Sequence, residues 1–420
     1  GSSARVGNDA GFDRLINSYS YGGLFRNDMA WFQGDAVRKN PNLKPETTIS
    51  KEIGAEVRLL DGRLTADVTY YDKYTCDQIV ESELSYLSNY QRVIINSGKI
   101  SNKGWEISVS GVPVKVKNFE WKTIFNWSKN NSMVESLPEG IDKIQIGSGV
   151  YNVKSYAEVG KPYGAIYAKT FKRDAEGYIL CQLDGSPKEG QDYEYLGCVQ
   201  ADWRGGWNNV FRLGNFSFSV MFDFQKGGKF FSQTSIQSSV DGQSVKSLEG
   251  RDADFFSRKI LGESDEERYG FMRPQNANTP TANGQIYPDW GRPKGVVLPN
   301  CRYDEDVEGL AGQQVLGYCT PERYWMHYTS RDISRFIYDA SYVKLREITV
   351  SYDLPKKWLR KTPFQTFRVA AVGRNIATLF ANTPHGLDPQ ATSTTGNAQG
   401  FERGFNLPSA TYGFDIKVSF

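Results

Sequence analysis

The sequence lacks any long apolar run. No stretch of its 420 residues holds about 18 consecutive apolar side chains, which excludes a membrane-spanning helix. Membrane-spanning strands of a barrel remain open, because each needs only alternating hydrophobicity over about ten residues. The amino terminus also lacks a basic segment followed by an apolar one, so no secretory signal is present. If the protein is exported, we expect this chain to start inside a longer one.

Histidine and cysteine are scarce. The two histidines, His327 and His385, lie in no metal-ligand spacing, and the five cysteines are far apart without a C-x-x-C pair. The sequence contains no G-x-S-x-G elbow, P-loop or dinucleotide-binding fingerprint. These absences disfavour a zinc or redox site and predict no catalytic residue. The cysteines are Cys76, Cys181, Cys198, Cys301 and Cys319.

An excess of one charge sign is also missing. Fifty Lys and Arg are interspersed with 48 Asp and Glu, which leaves a net charge of +2 and disfavours nucleic-acid binding. Aromatic residues, in contrast, are abundant: 14% of the chain is Phe, Trp or Tyr, although the mean hydropathy is −0.52. Many rings in a polar chain suit a wall with one apolar face, one wet face and aromatic girdles at the two membrane interfaces.

The last nine residues have the pattern of a two-faced strand. Phe414, Ile416, Val418 and Phe420 share one face of an extended chain, because successive side chains alternate across a strand. Polar residues occupy the other face. A closing strand of an outer-membrane barrel and an edge strand of a soluble sandwich both fit this segment, so the rest of the chain must decide between them.

The same alternation recurs upstream and is strongest around residues 216–224. We predict that one parity of these strands faces lipid and the other faces a hydrated barrel interior. The residues predicted to face lipid are Phe216, Phe218, Val220, Phe222, Phe224, Phe414, Ile416, Val418 and Phe420. The residues predicted to face the interior include Asp67, Glu106, Asp223, Asp415 and Lys417.

The connections alternate between very short and very long. An Asp61-Gly62 turn and a Gly214-Asn215 turn are short, whereas residues 9–46, 132–202 and 226–337 form long connections. Compact soluble domains seldom contain such long loops, whereas outer-membrane barrels combine short periplasmic turns with long external loops. We therefore predict an all-β fold of about ten antiparallel strands, with a bulge near Arg346 and an additional hairpin at 163–171 inside a loop.

Several segments, in order along the chain, resemble the SusC/RagA family of TonB-dependent outer-membrane transporters. They are residues 40–47 (NPNLKPET), 70–75 (YYDKYT), 96–106 (NSGKISNKGWE), 339–346 (DASYVKLR), 373–375 (GRN), 387–389 (LDP) and 408–414 (PSATYGF). We identify no such resemblance in the long loops between them.

This resemblance implies a transmembrane barrel of 22 strands that encloses a plug, of which residues 1–420 would form the carboxy-terminal part without the plug. It implies a bacterial outer-membrane location and a SusD-like surface lipoprotein seated on the long loops. We expect residues 9–46 and 226–337 to carry much of that contact. It also implies that the TonB complex acts through the missing plug, and that the cargo is an oligosaccharide or an oligopeptide.

Two loop segments are candidate binding sites. Tyr324, Trp325 and Tyr328 could stack on a sugar, because their rings are flat and apolar with polar tips; packing within the loops or against a partner is the alternative. The acidic segment 304–308 could gather a calcium ion through its carboxylates, although it lacks EF-hand spacing. A solvated acidic loop is the alternative there.

The cargo class is predicted from the loop composition. Sugars favour stacking rings together with carboxylates and amides, whereas peptides are held mainly through backbone hydrogen bonds. The loops carry many rings amid Asp, Asn and Gln, which favours a glycan over a peptide. Two alternatives belong to other functional classes: an outer-membrane barrel enzyme and an adhesin. The loop rings are Trp31, Tyr151, Tyr156, Trp290, Tyr324, Trp325 and Tyr328.

Overall fold

The computed structural model describes residues 1–26, 28–84, 86–249, 296–319, 321–384, 386–391, 399–404 and 409–420. Its main feature is a ten-stranded antiparallel sheet in which neighbouring strands follow the order of the chain. The predicted number of strands is confirmed. The strands are β1 (Ser2–Asn8), β2 (Glu46–Leu59), β3 (Leu64–Cys76), β4 (Lys99–Val116), β5 (Phe119–Ser136), β6 (Trp203–Leu213), β7 (Phe216–Lys226), β8 (Tyr342–Asp353), β9 (Thr366–Ala381) and β10 (Thr411–Ser419).

The sheet is an open wall whose edges are β1 and β10. Its connections are short at one end and long at the other, as predicted. At the short end, Gly62 has a φ of 80° in the β2–β3 turn and Gly214 has a φ of 57° in the β6–β7 turn. Positive φ at these positions suits tight hairpin turns. Residues 354–365 make the longest connection at this end and contain the short helix Lys356–Leu359.

The two faces of the wall differ in chemistry along every long strand. On β7, Phe216, Phe218 and Phe222 share one face with their cross-strand partners Leu213, Phe211 and Trp207 on β6. We call this the apolar face. Ser217, Ser219 and Asp223 lie on the opposite face, which we call the polar face. All nine residues that the sequence predicts to face lipid lie on the apolar face or, for Phe420, directly after its last strand.

The predicted bulge in β8 is confirmed. Met221 pairs with Glu347 and Phe222 pairs with Leu345, so Arg346 is the extra residue on β8. One additional residue shifts the alternation of side chains by one position. The apolar residues of β8 before and after the bulge therefore lie on the same face of the sheet.

Strands β4 and β5 extend further than their apolar alternation indicates. The sequence pattern of β5 ends near Trp127, whereas the strand continues to Ser136. Beyond Trp127 most pairs contain a polar residue, for example Asn130 with Gly104 and Ser132 with Asn102, although Val134 pairs with Ile100. Backbone pairing of β4 and β5 therefore continues beyond the segment with alternating apolar residues, so the hydrophobic pattern does not predict where these strands end.

The long connections fold into a layer of small sheets above the wall. The predicted hairpin at 163–171 is wrong in detail: Ala165–Ala168 is one strand of a four-stranded loop sheet, and its two neighbours come from residues 154–158 and 194–198. The sheets of this layer are Lys143–Ser148 with Lys154–Glu158, Ala165–Ala168 and Glu194–Cys198; Ile179–Cys181 with Val296–Tyr303 and Gln314–Cys319; Lys229–Ser232 with Ile337–Asp339 and Phe401–Glu402; Tyr19–Phe25 with Met29–Gly34; and Val37–Arg38 with Ile79–Glu83 and Arg92–Asn96.

The buried core of the molecule lies mostly in this loop layer. One cluster contains Trp325 and Phe171 among its largest side chains, and a second contains Phe231, Phe336 and Phe401. The helical segments among the described residues of this layer are short. They are Phe12–Arg14, Tyr86–Ser88, Gln233–Val240, Val245–Leu248, Pro321–Arg323, Tyr324–Tyr328, Thr329–Arg331 and Ile333–Phe336. Across the described residues, no helix is long and apolar enough to cross a membrane.

Candidate functional site

The polar face of the wall carries two rows of hydrophilic side chains near its loop end. The cross-strand register places Glu106, Ser128, Arg204 and Gln225 in the upper row, because each is the direct partner of the next. Below them, the lower row consists of Asp67, Ser108, Asn126, Gly206, Asp223 and Lys344. Side chains of one parity point to one face, so both rows project to the same side.

Open grooves run along these rows. One groove of about 460 Å³ is lined by Asp67, Glu106, Asn126, Arg204 and Asp223 among others. A second, of about 400 Å³, continues toward the loop segments that contain Gln390 and Gln399, and Arg204 and Asp223 line it as well. The arrangement provides carboxylates, amides and one guanidinium along a continuous wet surface, which can hydrogen-bond a polar oligomer.

A dense polar network joins three of the recognised motifs at one side of this surface. Lys344 is 2% exposed, and its Nζ lies 2.6 Å from both carboxylate oxygens of Asp388 and 3.0 Å from Oε1 of Gln390. Arg346, the bulge residue, donates to Asp223 and, at 2.6 Å, to Oδ1 of Asn375. The bulge thus aims Arg346 at neighbouring strands, and the motifs at 339–346, 373–375 and 387–389 meet in space.

The first of these motifs, residues 40–47, also meets the third, residues 96–106. The Asn96 amide donates to the backbone oxygens of Lys44 and Asp77, and its Oδ1 accepts from the Lys44 N–H at 2.9 Å. The Glu46 carboxylate accepts from the Ile79 N–H at 2.7 Å and from Asn8. These bonds fix where strands β1 and β2 enter the loop layer.

Close approach explains one glycine of the third motif, residues 96–106. A Cβ atom on Gly104 would lie 2.3 Å from the carbonyl oxygen of Lys129 and 2.4 Å from the Tyr71 hydroxyl. That hydroxyl donates to Oδ1 of Asn130 at 3.1 Å, and the Asn130 amide donates to Asn102. Gly104 therefore makes room for a hydrogen-bonded Tyr71 on the polar face.

The structure corrects the expectation that Tyr324, Trp325 and Tyr328 stack on a sugar. They are 1%, 1% and 3% exposed and belong to the apolar core of the loop layer. The Trp325 indole N–H donates to the backbone oxygen of Glu249 at 3.1 Å, and Arg335 donates to the Tyr324 hydroxyl. Protein covers the ring faces, so packing within the loops, the alternative considered above, describes this cluster.

The acidic segment also has protein partners. The Asp304 carboxylate is buried and lies 2.9 Å from Nζ of Lys172 and 2.7 Å from Nζ of Lys188. Burial acts to raise the pKa of Asp304, but the two lysines outweigh it and keep that pKa below its usual value. The described residues contain no group of three or more His, Cys, Asp or Glu placed to hold a metal. The two lysines therefore neutralise the buried Asp304 carboxylate.

The remaining predicted loop residues are dispersed. Trp31 is exposed on the Tyr19–Phe25 and Met29–Gly34 hairpin, whereas Tyr151 and Tyr156 are half-buried in the loop layer. His327 is exposed beside the buried ring cluster. Trp290 and His385 lie outside the described residues.

Sequence reasoning named the acids of the grooves but missed Arg204. The alternation of side chains along β6 could have identified it. Trp203, Trp207 and Phe211 occupy odd positions on the apolar face. Arg204 and Arg212 occupy even positions, so both arginines project to the polar face. Strand register was also needed, because only cross-strand pairing places Arg204 between Ser128 and Gln225.

A two-faced antiparallel wall with short turns at one end and folded loops at the other is typical of part of an outer-membrane β-barrel. The family model for the TonB dependent receptor-like β-barrel matches residues 10–376. The chain therefore belongs to this family, and its resemblance to the SusC/RagA transporters of the bacterial outer membrane is confirmed.

Individual relatives agree with this assignment. The chain is 25% identical over 395 residues to TonB-dependent receptor P3 of Formosa agariphila, a match that covers 89% of this chain and 33% of that protein. It is 29% identical over 104 residues to TonB-dependent receptor SusC of Bacteroides thetaiotaomicron, covering 24% of this chain and 10% of SusC. The chain thus spans about a third of the length of the first of these relatives.

The whole length of this chain matches part of a solved structure. The RagAB peptide transporter aligns with 100% of this chain and 40% of its own, with a TM-score of 0.65 and 16% sequence identity. At this identity, the match supports the fold of the wall and its loop layer.

Proposed function

We propose that this chain forms the carboxy-terminal part of a TonB-dependent importer for large organic nutrients. In this proposal the apolar face contacts outer-membrane lipid, and the polar face lines the interior of a larger barrel. The observation that carries the proposal is the open groove lined by Arg204, Asp223 and Glu106 on the polar face, below the loop layer. The relatives are named as receptors and transporters, and we propose no catalytic role.

The proposed cargo is an oligosaccharide. Carboxylates and amides along the groove, such as Asp67, Asn126 and Gln225, suit a ligand rich in hydroxyl groups. An oligopeptide is the second candidate. Two observations favour it: the three rings best suited to sugar stacking are buried, and the grooves carry charges of both signs.

Growth tests separate the two cargoes. A strain that lacks the intact transporter should grow more slowly on purified glycans as sole carbon source and normally on peptide mixtures. A defect confined to peptides would replace the first proposal with the second. Equal growth of the mutant and parent strains on all substrates would contradict import of either class.

We also propose that a SusD-like lipoprotein sits on the loop layer. The hairpin formed by Tyr19–Phe25 and Met29–Gly34 exposes several large apolar side chains, which a solvent-facing loop would not retain without a covering partner. They are Tyr19, Tyr21, Leu24, Phe25, Met29, Trp31 and Phe32. Within the second expected segment, residues 250–295 and Thr320 lie outside the described part.

Co-purification from native outer membranes tests this partner. Substituting Tyr21 and Trp31 with Ala should reduce recovery of a co-purifying lipoprotein. Trp358→Ala is the matched control, because Trp358 is an exposed ring at the short-turn end of the wall. Unchanged recovery with the loop variant, or equal loss with the control, would count against this seat.

A further inference from the structure

Arg204 differs from the other arginines of the polar face. Its Nε donates to Oε1 of Gln225 at 3.0 Å, and no carboxylate of the described residues lies within ion-pair distance of it. Every other described arginine whose strand position lies on this face is paired with an acid. The pairs are Arg58 with Glu56, Arg212 with Glu120, Arg346 with Asp223, Arg368 with Asp353 and Arg374 with Glu347.

The acids of the two rows that lie closest in strand register are already engaged or too distant. Asp223, diagonally across the strand pair from Arg204, accepts from both Arg346 and the Tyr342 hydroxyl. Glu106 lies in the same row but two strands away, with Ser128 between them. Strands are about 4.8 Å apart, so the backbone positions of Glu106 and Arg204 are separated by about 10 Å.

Arg204 also lines three neighbouring grooves of the polar face. It lines the two grooves described above and a third, of about 270 Å³, whose other lining residues include Asn130 and Gln200. Its side chain is exposed. A guanidinium with free terminal nitrogens presents a planar fork that matches a carboxylate with two parallel hydrogen bonds.

We propose that Arg204 is a specificity-determining residue that binds a carboxylate of the imported oligomer. This inference rests on the proposed import function and narrows its cargo to acidic oligomers. The carboxylate comes from a uronic acid unit of a glycan or from an acidic residue of a peptide. Glu106 and Asp67, at the far end of the groove, repel a second carboxylate and so orient the bound chain.

The test measures binding to the purified full-length transporter with its native partner, using two matched pairs of probes. One pair is an oligogalacturonate and the neutral galactose oligomer of the same length. The other is an octapeptide with a central Glu and the same peptide with Gln. We expect the wild type to prefer the acidic member of at least one pair, and the pair that shows the preference identifies the source of the carboxylate.

Variants assign that preference to the side chain. Arg204→Gln should weaken binding of the acidic probe by about tenfold to a hundredfold, the range for a hydrogen bond to a charged group, and leave the neutral probe unchanged. Arg204→Lys should restore part of the affinity, because it keeps the charge without the fork. Arg212→Gln is the matched control, since Arg212 lies on the same strand and face but pairs with Glu120 at 3.6 Å.

Several results would overturn the proposal. Equal weakening of acidic and neutral probes by Arg204→Gln would show a structural role, such as contact with the plug. Equal effects of the two glutamine variants would show a general effect of charge. Binding of none of the four probes would also overturn the site. A transporter that supports growth in the assay above, yet lacks any acid preference, would contradict the role of Arg204 and leave the proposed import function standing.

Discussion

At the scale of single residues, the polar face is held by networks in which each member has several partners. Lys344 is the most buried charge of the wall, and Asp388 and Gln390 from the last long loop surround its ammonium group. Burying an ammonium group is costly unless it is paired and hydrogen-bonded. The pairing therefore ties the loop segment 386–391 to strand β8.

Lys344→Met should destabilise the protein by about 3–5 kcal/mol, because it leaves the Asp388 carboxylate without its counter-ion. The loss should be largest locally and appear as faster cleavage by proteinase K within residues 382–410. Lys122→Met is the control, since Lys122 is an exposed lysine on the same face. Equal protease resistance of the two variants would show that the pair does not hold the loop.

The loop layer has an acid-sensitive contact at Asp184. Burial acts to raise the pKa of Asp184, but hydrogen bonds from Ser186 and from Arg323 at 2.8 Å outweigh it, so the pKa lies below its usual value of 3.8. A depressed pKa stabilises the folded state above the unfolded value, and this stability is lost as the pH falls through the folded value. Loop stability should therefore decline below about pH 4.

Asp184→Asn should flatten that acid dependence, because the amide does not titrate. Thermal unfolding of the loop layer at pH 7 and pH 3 would measure the difference. We expect the variant to be less stable than the wild type at pH 7, and the difference to be smaller at pH 3. A wild-type pH dependence that the substitution leaves unchanged would assign the acid sensitivity to other carboxylates.

At the scale of elements, strand pairing depends on glycines where backbones approach closely. A Cβ atom on Gly98 would lie 1.8 Å from the carbonyl oxygen of Ser136, where β4 begins beside the end of β5. A register shift lies at this point, between Val134 and Ser136. The glycine therefore permits the irregular pairing that ends the longest strand pair of the wall.

Gly98→Ala should disrupt this end of the pair at a cost of about 1–3 kcal/mol, the usual range for overpacking. Faster amide hydrogen exchange at residues 99–101 would report the change. Gly413→Ala is the matched control, because a Cβ atom on that strand glycine would meet nothing within 4 Å. Equal exchange behaviour of both variants would mean that the backbone shifts to accept the alanine.

The sequence predicted the wall better than the loop layer, for a physical reason. The alternation of apolar and polar residues at Phe216–Lys226 indicates that one face of the strand contacts lipid or a core and the other contacts water. A change in the position of the apolar residues indicates the bulge at Arg346. Some loop strands instead bury both faces, as Ala165–Ala168 and Ile179–Cys181 do, so they leave no period of two. Their partners also come from distant residues, such as Ile179 with Cys301, which composition does not indicate.

The candidate site was only partly predictable for the same reason. Residue chemistry identified Tyr324 and Trp325 as rings able to bind a sugar, but long-range packing against residues such as Phe171 and Val315 decides that they are buried. Arg204, in contrast, was hidden among many arginines. Only the strand register shows that its neighbours leave it without an acid.

At the scale of the whole molecule, the account rests on the two faces of the wall being in different solvents. Val220 and Ser219 are adjacent on β7 and point to opposite faces. Val220 shares the apolar face with Ile348, its partner on β8, whereas Ser219 pairs with Thr349 on the polar face. The same substitution at Val220 and at Ser219 therefore compares the cost of a charge on the proposed lipid-facing side with its cost on the proposed interior side, at the same depth in the membrane.

The most direct measurement is the free energy of unfolding of the full-length transporter in lipid bilayers, for Val220→Arg and Ser219→Arg. An arginine near the middle of the lipid-facing side of a barrel costs about 2–4 kcal/mol, whereas the hydrated interior tolerates one. The account predicts this loss for Val220→Arg and a much smaller one for Ser219→Arg. Equal losses, or a larger loss for Ser219→Arg, would contradict it.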